Sequence, residues 1–333
     1  MKAIRLHETG GPKNLVLDRD VAVPEAGPRE VLVRLRYAAL NHRDVFITQG
    51  LYPGIELPRI LGSDGCGYVE QLGSHAMGPA PGTCVVIDPT MEWGSNPRVW
   101  SEKSSLLGMP KDGTFAQYVA VPGENVFAKP AGLSEEEAAA IPLAGVTAYR
   151  AAFTRGALTK NDTLLVTGIG GGVQTFVLLF AKQAGARVVV TSSSDEKLAR
   201  ARALGADETL NYRSDPQWHK SAKKMGIDIA IDSAGGEGFA KVLETVKYGG
   251  RVVTYGGTSG TAPVRPFSIF WKQLDVLGTS MGSPHDFAAM LERFDGTIKP
   301  VIDRVYAMDE AVLAAQRLDE AAQFGKVLLR IEP

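Results

Sequence analysis

Cysteine is nearly missing from this chain: Cys66 and Cys84 are the two among 333 residues. That number excludes a disulfide framework and a cysteine-built metal cluster. Both lie in apolar, strand-like surroundings and read as small buried residues. Long hydrophobic runs are missing too. No stretch reaches the roughly 18 apolar residues of a membrane span, and the N-terminal Met1-Lys2-Ala3-Ile4-Arg5-Leu6 lacks an apolar signal region. Charge of one sign is not in excess, with 36 basic residues against 37 acidic. A net charge of −1 gives nucleic acid and anionic membranes no electrostatic hold. The one basic cluster, His219-Lys220 to Lys223-Lys224, has no aromatic platform beside it and reads as a solvated loop or short helix. The expectation is a cytoplasmic protein acting on small molecules.

What is present follows two grammars. Up to residue 125, short β-like runs (31–39, 66–72, 84–87, 115–121) alternate with Gly/Pro turns, as in a compact barrel-like domain. Near Ser134 the pattern changes. Ser134-Glu135-Glu136-Glu137 is a capping box: hydroxyl and third-position carboxylate each satisfy a free backbone donor, and an Ala-rich helix follows. Strands at 163–167, 187–192, 227–232, 251–255 and 276–280 then alternate with helices near 171–184, 239–246 and 267–273. A further helix is expected to be capped by Ser193, with Glu196 at its third position. Repeated βα units predict an α/β fold with a doubly wound parallel sheet covered on both faces. The tail reads as helix, strand, helix and final strand, folding back onto the first domain. The expected division is 1–125 with 284–333, and 126–283.

Leu164-Leu165-Val166-Thr167 runs into Gly168-Ile169-Gly170-Gly171-Gly172-Val173, a buried strand leading through a glycine turn to a helix. Glycines let the backbone approach a pyrophosphate, and the helix start offers free N–H groups and the positive end of its dipole. A strand before it, a helix after it and a βαβ unit around it raise this cluster above a structural turn. Where Gly-x-Gly-x-x-Gly needs its last glycine stands Val173, so helix and strand are expected to pack slightly further apart. A site for NAD places an acid about 20 residues on, against the ribose 2′-hydroxyl. Here that strand ends Thr191-Ser192-Ser193-Ser194 with no acid before Asp195, while Lys197 and Tyr212 follow. Hydroxyls and an ammonium suit a 2′-phosphate, and no carboxylate repels it. NADPH is the expected cofactor; Ser193 as a plain helix cap and Lys197 as a solvated lysine do not exclude that contact.

Together with Asn41-His42-Arg43-Asp44, Gly50-Leu51-Tyr52-Pro53, Leu61-Gly62-Ser63-Asp64-Gly65, Ala144-Gly145-Val146-Thr147 and Leu210-Asn211-Tyr212, these segments make the chain resemble the medium-chain dehydrogenase/reductase superfamily along its whole length. It is most similar to the zinc-free branch of quinone oxidoreductases and zeta-crystallin. The resemblance implies a GroES-like β-rich catalytic domain, a Rossmann domain and a substrate cleft between them. It also implies a homodimer joined at an edge strand near 276–280. By the same implication Thr147 faces the nicotinamide, and Tyr255, Gly256, Ser280, Met281 and Gly282 line its pocket. Lys197 and Tyr212 match positions that hold the 2′-phosphate. An arginine that assists them in that branch is replaced here by the stretch Glu320-Ala321-Ala322.

Zinc members of the superfamily carry metal ligands where this chain has Asn41, Ser63-Asp64 and Leu143. Zinc takes about four ligands from thiolate, imidazole and carboxylate. Only Asp64 qualifies, so the site is expected to hold no metal. The lobe 88–113, which carries a structural zinc in related enzymes, has no cysteine. Its Trp93 and Trp100 either pack the lobe together or, with Trp93, roof the substrate pocket.

Hydride transfer to a plain carbonyl puts negative charge on oxygen, which needs strong preorganised stabilisation. The neutral donors legible here, the Asn41 amide and the Tyr52 hydroxyl, suit acceptors that spread their charge: quinones and α,β-unsaturated carbonyls. Tyr52 is the candidate proton donor, or else a half-buried aromatic; Phe46 shapes the pocket. Asn41 faces cofactor or substrate, and His42 either bonds a ribose hydroxyl or is a satisfied core histidine. Asp44 stabilises a turn or pairs with Arg43 or Arg34. The expected activity is zinc-independent, NADPH-dependent reduction of quinones or activated alkenes. The alternatives are a zinc-independent carbonyl reductase or alcohol dehydrogenase, and an NADPH-binding protein with little catalysis.

Overall fold

The strand Glu30–Ala39 organises the first half of the chain. In the computed structural model, which describes residues 1–331, it lies at the centre of a seven-stranded sheet. The order is Val126–Ala128, Cys84–Ile87, Asp64–Leu72, Glu30–Ala39, Lys326–Arg330, Ile302–Ala307, with Tyr118–Pro122 also paired to Glu30–Ala39. Val31, Val33 and Leu35 point to one side and are fully buried, as period-two alternation requires. The pairing with Asp64–Leu72 shifts register twice. Between those shifts Gly67 faces Leu35, and a Cβ there would meet the Arg34 carbonyl at 2.1 Å. Phe115, Leu6, Leu40, Ile47 and Leu61 fill the core beneath. Each such side chain contributes about 1.5–3 kcal/mol by leaving water.

The last strand decides where the site forms. Lys326–Arg330 pairs antiparallel with Glu30–Ala39, with Leu328 opposite Ala39. That register carries Lys326, its first residue, past the end of the partner strand to Leu40 and Asn41.

Two compact units emerge: Met1–Ala144 together with Gly282 onward, and Gly145–Met281. Residues 126–144, assigned from sequence to the second domain, belong to the first. Val126–Ala128 is an antiparallel partner of Cys84–Ile87, and the helix Glu135–Ala139 packs on that same sheet. The capping box at Ser134 and Glu137 forms as expected. It opens a helix of the first unit.

The second unit is a six-stranded, wholly parallel sheet. Its order is Glu208–Asn211, Arg187–Ser192, Thr163–Val166, Ile227–Asp232, Val246–Thr254, Asp275–Gly278. Leu164, Leu165 and Val166 are fully buried, as expected of a strand covered on both faces. Chain order reverses between Thr163–Val166 and Ile227–Asp232, and nucleotides bind at such a switch point, beyond the carboxyl ends of the strands. One local expectation fails. Ser194, not Ser193, caps the helix Asp195–Ala203, accepting the Lys197 N–H at 3.3 Å. The strand ends at Ser192 as expected, but the helix starts one residue later than a Ser193 cap requires, leaving the Ser193 side chain exposed.

Candidate active site

Gly62, with φ of +94°, turns the chain between Arg59–Ile60 and Asp64–Leu72 and leaves Ser63 and Asp64 wholly buried. Three donors converge on the Asp64 carboxylate. Lys326 Nζ donates to Oδ2 at 2.8 Å, Asn41 Nδ2 to the same oxygen at 2.9 Å, and the Leu143 N–H to Oδ1 at 2.8 Å. Lys326 also donates to Asn41 Oδ1 at 2.6 Å and to the Leu40 carbonyl at 2.9 Å. An ammonium can only donate, so the carboxamide must turn its oxygen to Lys326 and its nitrogen to Asp64. Asn41 is thereby held in one orientation by a buried ion pair.

Beside this triad lies a second cation. Arg43 is 8% exposed and directs Nη1 to Ser63 Oγ at 2.6 Å and to the Leu107 carbonyl at 2.9 Å. Its Nε donates to the Tyr52 hydroxyl oxygen at 3.4 Å, and the guanidinium carbon sits 4.9 Å from the centre of that ring. Tyr52 itself is half-buried. Asp44 Oδ2 accepts the Asn41 N–H at 2.8 Å, the turn-stabilising role, while Oδ1 stands 4.0 Å from Arg43 Nη1. Burial pushes the Asp44 carboxyl up to about 6, against the pull of Arg43.

These contacts answer whether zinc fits. Of the positions where zinc ligands would stand, Leu143 offers only a backbone N–H, Ser63 is bonded to Arg43, and Asp64 is paired with an ammonium. No group of three or more His, Cys, Asp or Glu placed to hold a metal exists among the described residues. The donor set does not fit a zinc ion. Lys326 carried no local sequence signal, since 285 residues separate it from Asn41. Arg43 was visible inside its motif, but nothing in sequence showed its charge turned inward.

The other expected pocket residues of the first unit are placed as follows. His42 opens the helix His42–Thr48, exposed, its ring 6.1 Å from that of half-buried Phe46. Trp93 is 4% exposed, donates its indole N–H to the Asn96 carbonyl at 2.9 Å and packs against Trp100 at 6.4 Å. Gly282 is buried.

In the second unit the glycine turn meets its helix at the switch point. Gly170 has φ of +130°, and a Cβ there would come within 2.9 Å of the Lys197 stem. Glycine thus lets Lys197 lie against the turn. Gly171 precedes the helix Gly172–Gln183, which no side chain caps and whose first turn has no acid. Its leading N–H groups and dipole suit an anion. Val173 lies in that first turn, and the buried Gln174 and Thr175 follow. Thr167 Oγ1 donates to Asp232 Oδ1 at 2.6 Å, tying the two strands at the switch point.

At the end of Arg187–Ser192, Ser192 is buried, its Oγ accepting the Ser194 N–H and its carbonyl accepting the Tyr212 N–H, both at 3.1 Å. Ser192, Lys197 and the 42% exposed Tyr212 therefore gather at one strand end. Thr147 is buried, its Oγ1 4.0 Å from Met281 Sδ, and Met281 holds φ of +53°. Gly256 approaches the Ser233 carbonyl so closely that a Cβ would stand 2.5 Å from it. Burial above all, with Asp232 nearby, pushes the Tyr255 phenol far above its usual range. Ser280 is exposed.

Comparison with known proteins shows the family. Residues 27–131 match the alcohol dehydrogenase GroES-like domain, and residues 172–296 match a family described as zinc-binding dehydrogenase. A "zinc-type alcohol dehydrogenase-like protein YogA" from Leptosphaeria maculans is 40% identical, over 93% of each chain. A human quinone oxidoreductase is 27% identical, over 99% of this chain and 97% of its own. The crystal structure of an NAD-dependent alcohol dehydrogenase superposes with a TM-score of 0.94 at 38% identity, covering the whole of both chains.

Proposed function

Because this chain belongs to the medium-chain dehydrogenase/reductase family, we propose that it is a zinc-independent, NADPH-dependent reductase of quinones or α,β-unsaturated carbonyls. The observation that carries this reading is the Lys326–Asp64–Asn41 triad, which ties up with hydrogen bonds the positions a zinc enzyme gives to its metal. The bound nicotinamide supplies hydride. The chain's part is to hold cofactor and acceptor and to receive charge on the acceptor oxygen. Asn41, locked by Lys326, presents a fixed amide face. Tyr52 is the acid: it protonates the α-carbon of the enolate formed from an activated alkene, or the charged oxygen of the anion formed from a quinone. Within the second unit Thr147, Tyr255, Gly256, Ser280 and Met281 would hold the nicotinamide; within the first, Gly282 is proposed for the same role and His42 for a ribose hydroxyl. Phe46 and Trp93 shape the acceptor pocket.

NADPH is favoured over NADH because Lys197 and the hydroxyls of Ser192 and Ser193 follow the end of Arg187–Ser192, where the Asp195 carboxylate is taken up by the Asn211 side-chain amide at 2.7 Å. The working form is a homodimer built on Asp275–Gly278, a sheet edge unpaired among the described residues, beside the exposed Phe267, Phe270 and Trp271. The protein is cytoplasmic; no helix among the described residues is long and apolar enough to cross a membrane. A carbonyl reductase or alcohol dehydrogenase is the second reading, favoured by one observation, the cationic Arg43 against Tyr52.

The deciding experiment is cofactor oxidation in EDTA-treated buffer with 1,4-benzoquinone, 9,10-phenanthrenequinone, an enone and a saturated aldehyde, using NADPH and NADH in parallel. Turnover of quinones or enones with NADPH preferred supports the proposal. Activity appearing only after zinc is added overturns it, and tight NADPH binding without turnover marks a binding protein.

A further inference from the structure

We propose that Arg43 is a positioning residue that sets acceptor specificity: acting through Tyr52, it extends reduction from charge-delocalising acceptors to saturated aldehydes and ketones. The inference rests on the reading of Tyr52 as proton donor. Its grounds are geometric. A guanidinium always carries its charge, and this one is buried with Nη1 turned to two uncharged oxygens, Ser63 Oγ and the Leu107 carbonyl. The nearest carboxylate oxygen, Asp44 Oδ1, lies 4.0 Å away, and neither it nor Arg43 Nη2 has a hydrogen-bond partner among the described residues. The positive charge is therefore only partly compensated in a medium where charge acts strongly. Nε and the guanidinium face address Tyr52, one through its oxygen and the other through its ring. Because Nε donates to the hydroxyl oxygen, the Tyr52 O–H hydrogen is directed elsewhere, toward an acceptor.

The step balances. The carbonyl carbon gains hydride from a reduced nicotinamide dinucleotide, forming a C–H bond, and the C=O π pair moves to oxygen. Tyr52 passes its proton to that oxygen, giving the alcohol and leaving a phenolate facing Arg43. Water returns a proton to Tyr52, so one hydride and one proton are consumed per carbonyl. A quinone or enone spreads the incoming charge over several atoms and leans less on Tyr52. A saturated aldehyde concentrates it on one oxygen, where a cation behind the proton donor matters most.

The test compares kcat/KM for butanal and for 9,10-phenanthrenequinone in the wild type, Arg43→Lys and Arg43→Met, with melting temperature and NADPH affinity measured on each. The expected result is a loss of 100-fold or more with butanal and of less than 10-fold with the quinone in Arg43→Met. Arg43→Lys, which keeps a charge, should recover part of the butanal activity. Introducing Tyr52→Phe into both the wild type and the Arg43→Met variant should abolish the difference between them. Equal losses on both acceptors, or a wild type that reduces the quinone but not butanal, overturn the inference and leave the proposed function standing. A wild type that reduces neither the quinone nor an enone overturns the proposed function itself. If Arg43→Met does not fold, Arg43→Lys decides: an unchanged butanal-to-quinone ratio together with equal losses on both counts against the inference.

Discussion

Lys326 Nζ lies 2.8 Å from Asp64 Oδ2, joining the last strand to the turn after Gly62, with both side chains almost wholly buried (3% and 0% exposed). A buried pair of this kind adds little net stability over an apolar pair, yet removing one partner strands the other charge. Lys326→Met should therefore cost about 3–5 kcal/mol, read as a lowered denaturant midpoint at unchanged slope. The double variant Lys326→Met/Asp64→Asn should regain part of that loss. A cost under about 1 kcal/mol for the single change would show that Asp64 finds another partner or escapes burial.

Asp88 makes stability depend on pH. Burial, aided by Asp286, pushes its carboxyl up from the ordinary 3.8 to about 7, against the hydrogen bond it accepts from the Thr90 N–H. The folded state thus holds a proton that the unfolded chain releases. By linkage the stabilisation is fully present below the unfolded value and is lost as pH rises through the folded one, between roughly 4 and 7. Asp88→Asn should flatten that decline and stabilise the protein at pH 8, by up to about 4 kcal/mol. Chemical denaturation at pH 5 and pH 8 checks it; an equal effect at both would show no titration.

Cofactor choice should follow charge at the end of Arg187–Ser192. Ser193→Asp places a carboxylate where the 2′-phosphate is proposed to lie and should raise the NADPH KM at least tenfold while leaving NADH unchanged or improved. Lys197→Met should weaken NADPH alone by roughly 1–2 kcal/mol, the scale of one charge-assisted hydrogen bond. Fluorescence titration of both cofactors measures each change. Equal weakening of NADH would mean that the substitutions disturb the glycine turn, against which the Lys197 stem packs.

The oligomeric state should respond at Val276, 38% exposed on the edge strand Asp275–Gly278. Val276→Asp puts charge on that edge, which discourages strand pairing between copies. Light scattering after size exclusion should move from dimer to monomer mass, with kcat/KM for NADPH oxidation measured alongside. A dimer that persists would place the contact elsewhere, with the Phe267 and Trp271 face the next to substitute.

Much of this protein is written locally. The capping box at Ser134, the glycine turn at Gly168–Gly172 and the alternating βα grammar depend on neighbours within a few residues, so the α/β fold and the strand–glycine turn–helix unit are readable from sequence. The cap at Ser194 was missed by one residue, because strand end and helix start compete within a run of three serines. The lobe of the first unit up to residue 144 was misplaced for another reason: strand pairing between Val126–Ala128 and Cys84–Ile87 leaves no periodic mark on either segment.

What the sequence by itself determined about the active site is a set of substitutions: Asn41, Ser63 and Leu143 at positions that cannot build a zinc site. Only the tertiary structure decided which partners these positions bond. Lys326 reaches Asn41 because antiparallel pairing aligns Leu328 with Ala39, and Arg43 turns inward because Ser63 and the Leu107 carbonyl offer it oxygens from distant segments. Charges are chosen by sequence, but their partners are chosen by packing, since only burial makes a lone charge costly enough to fix where it must go.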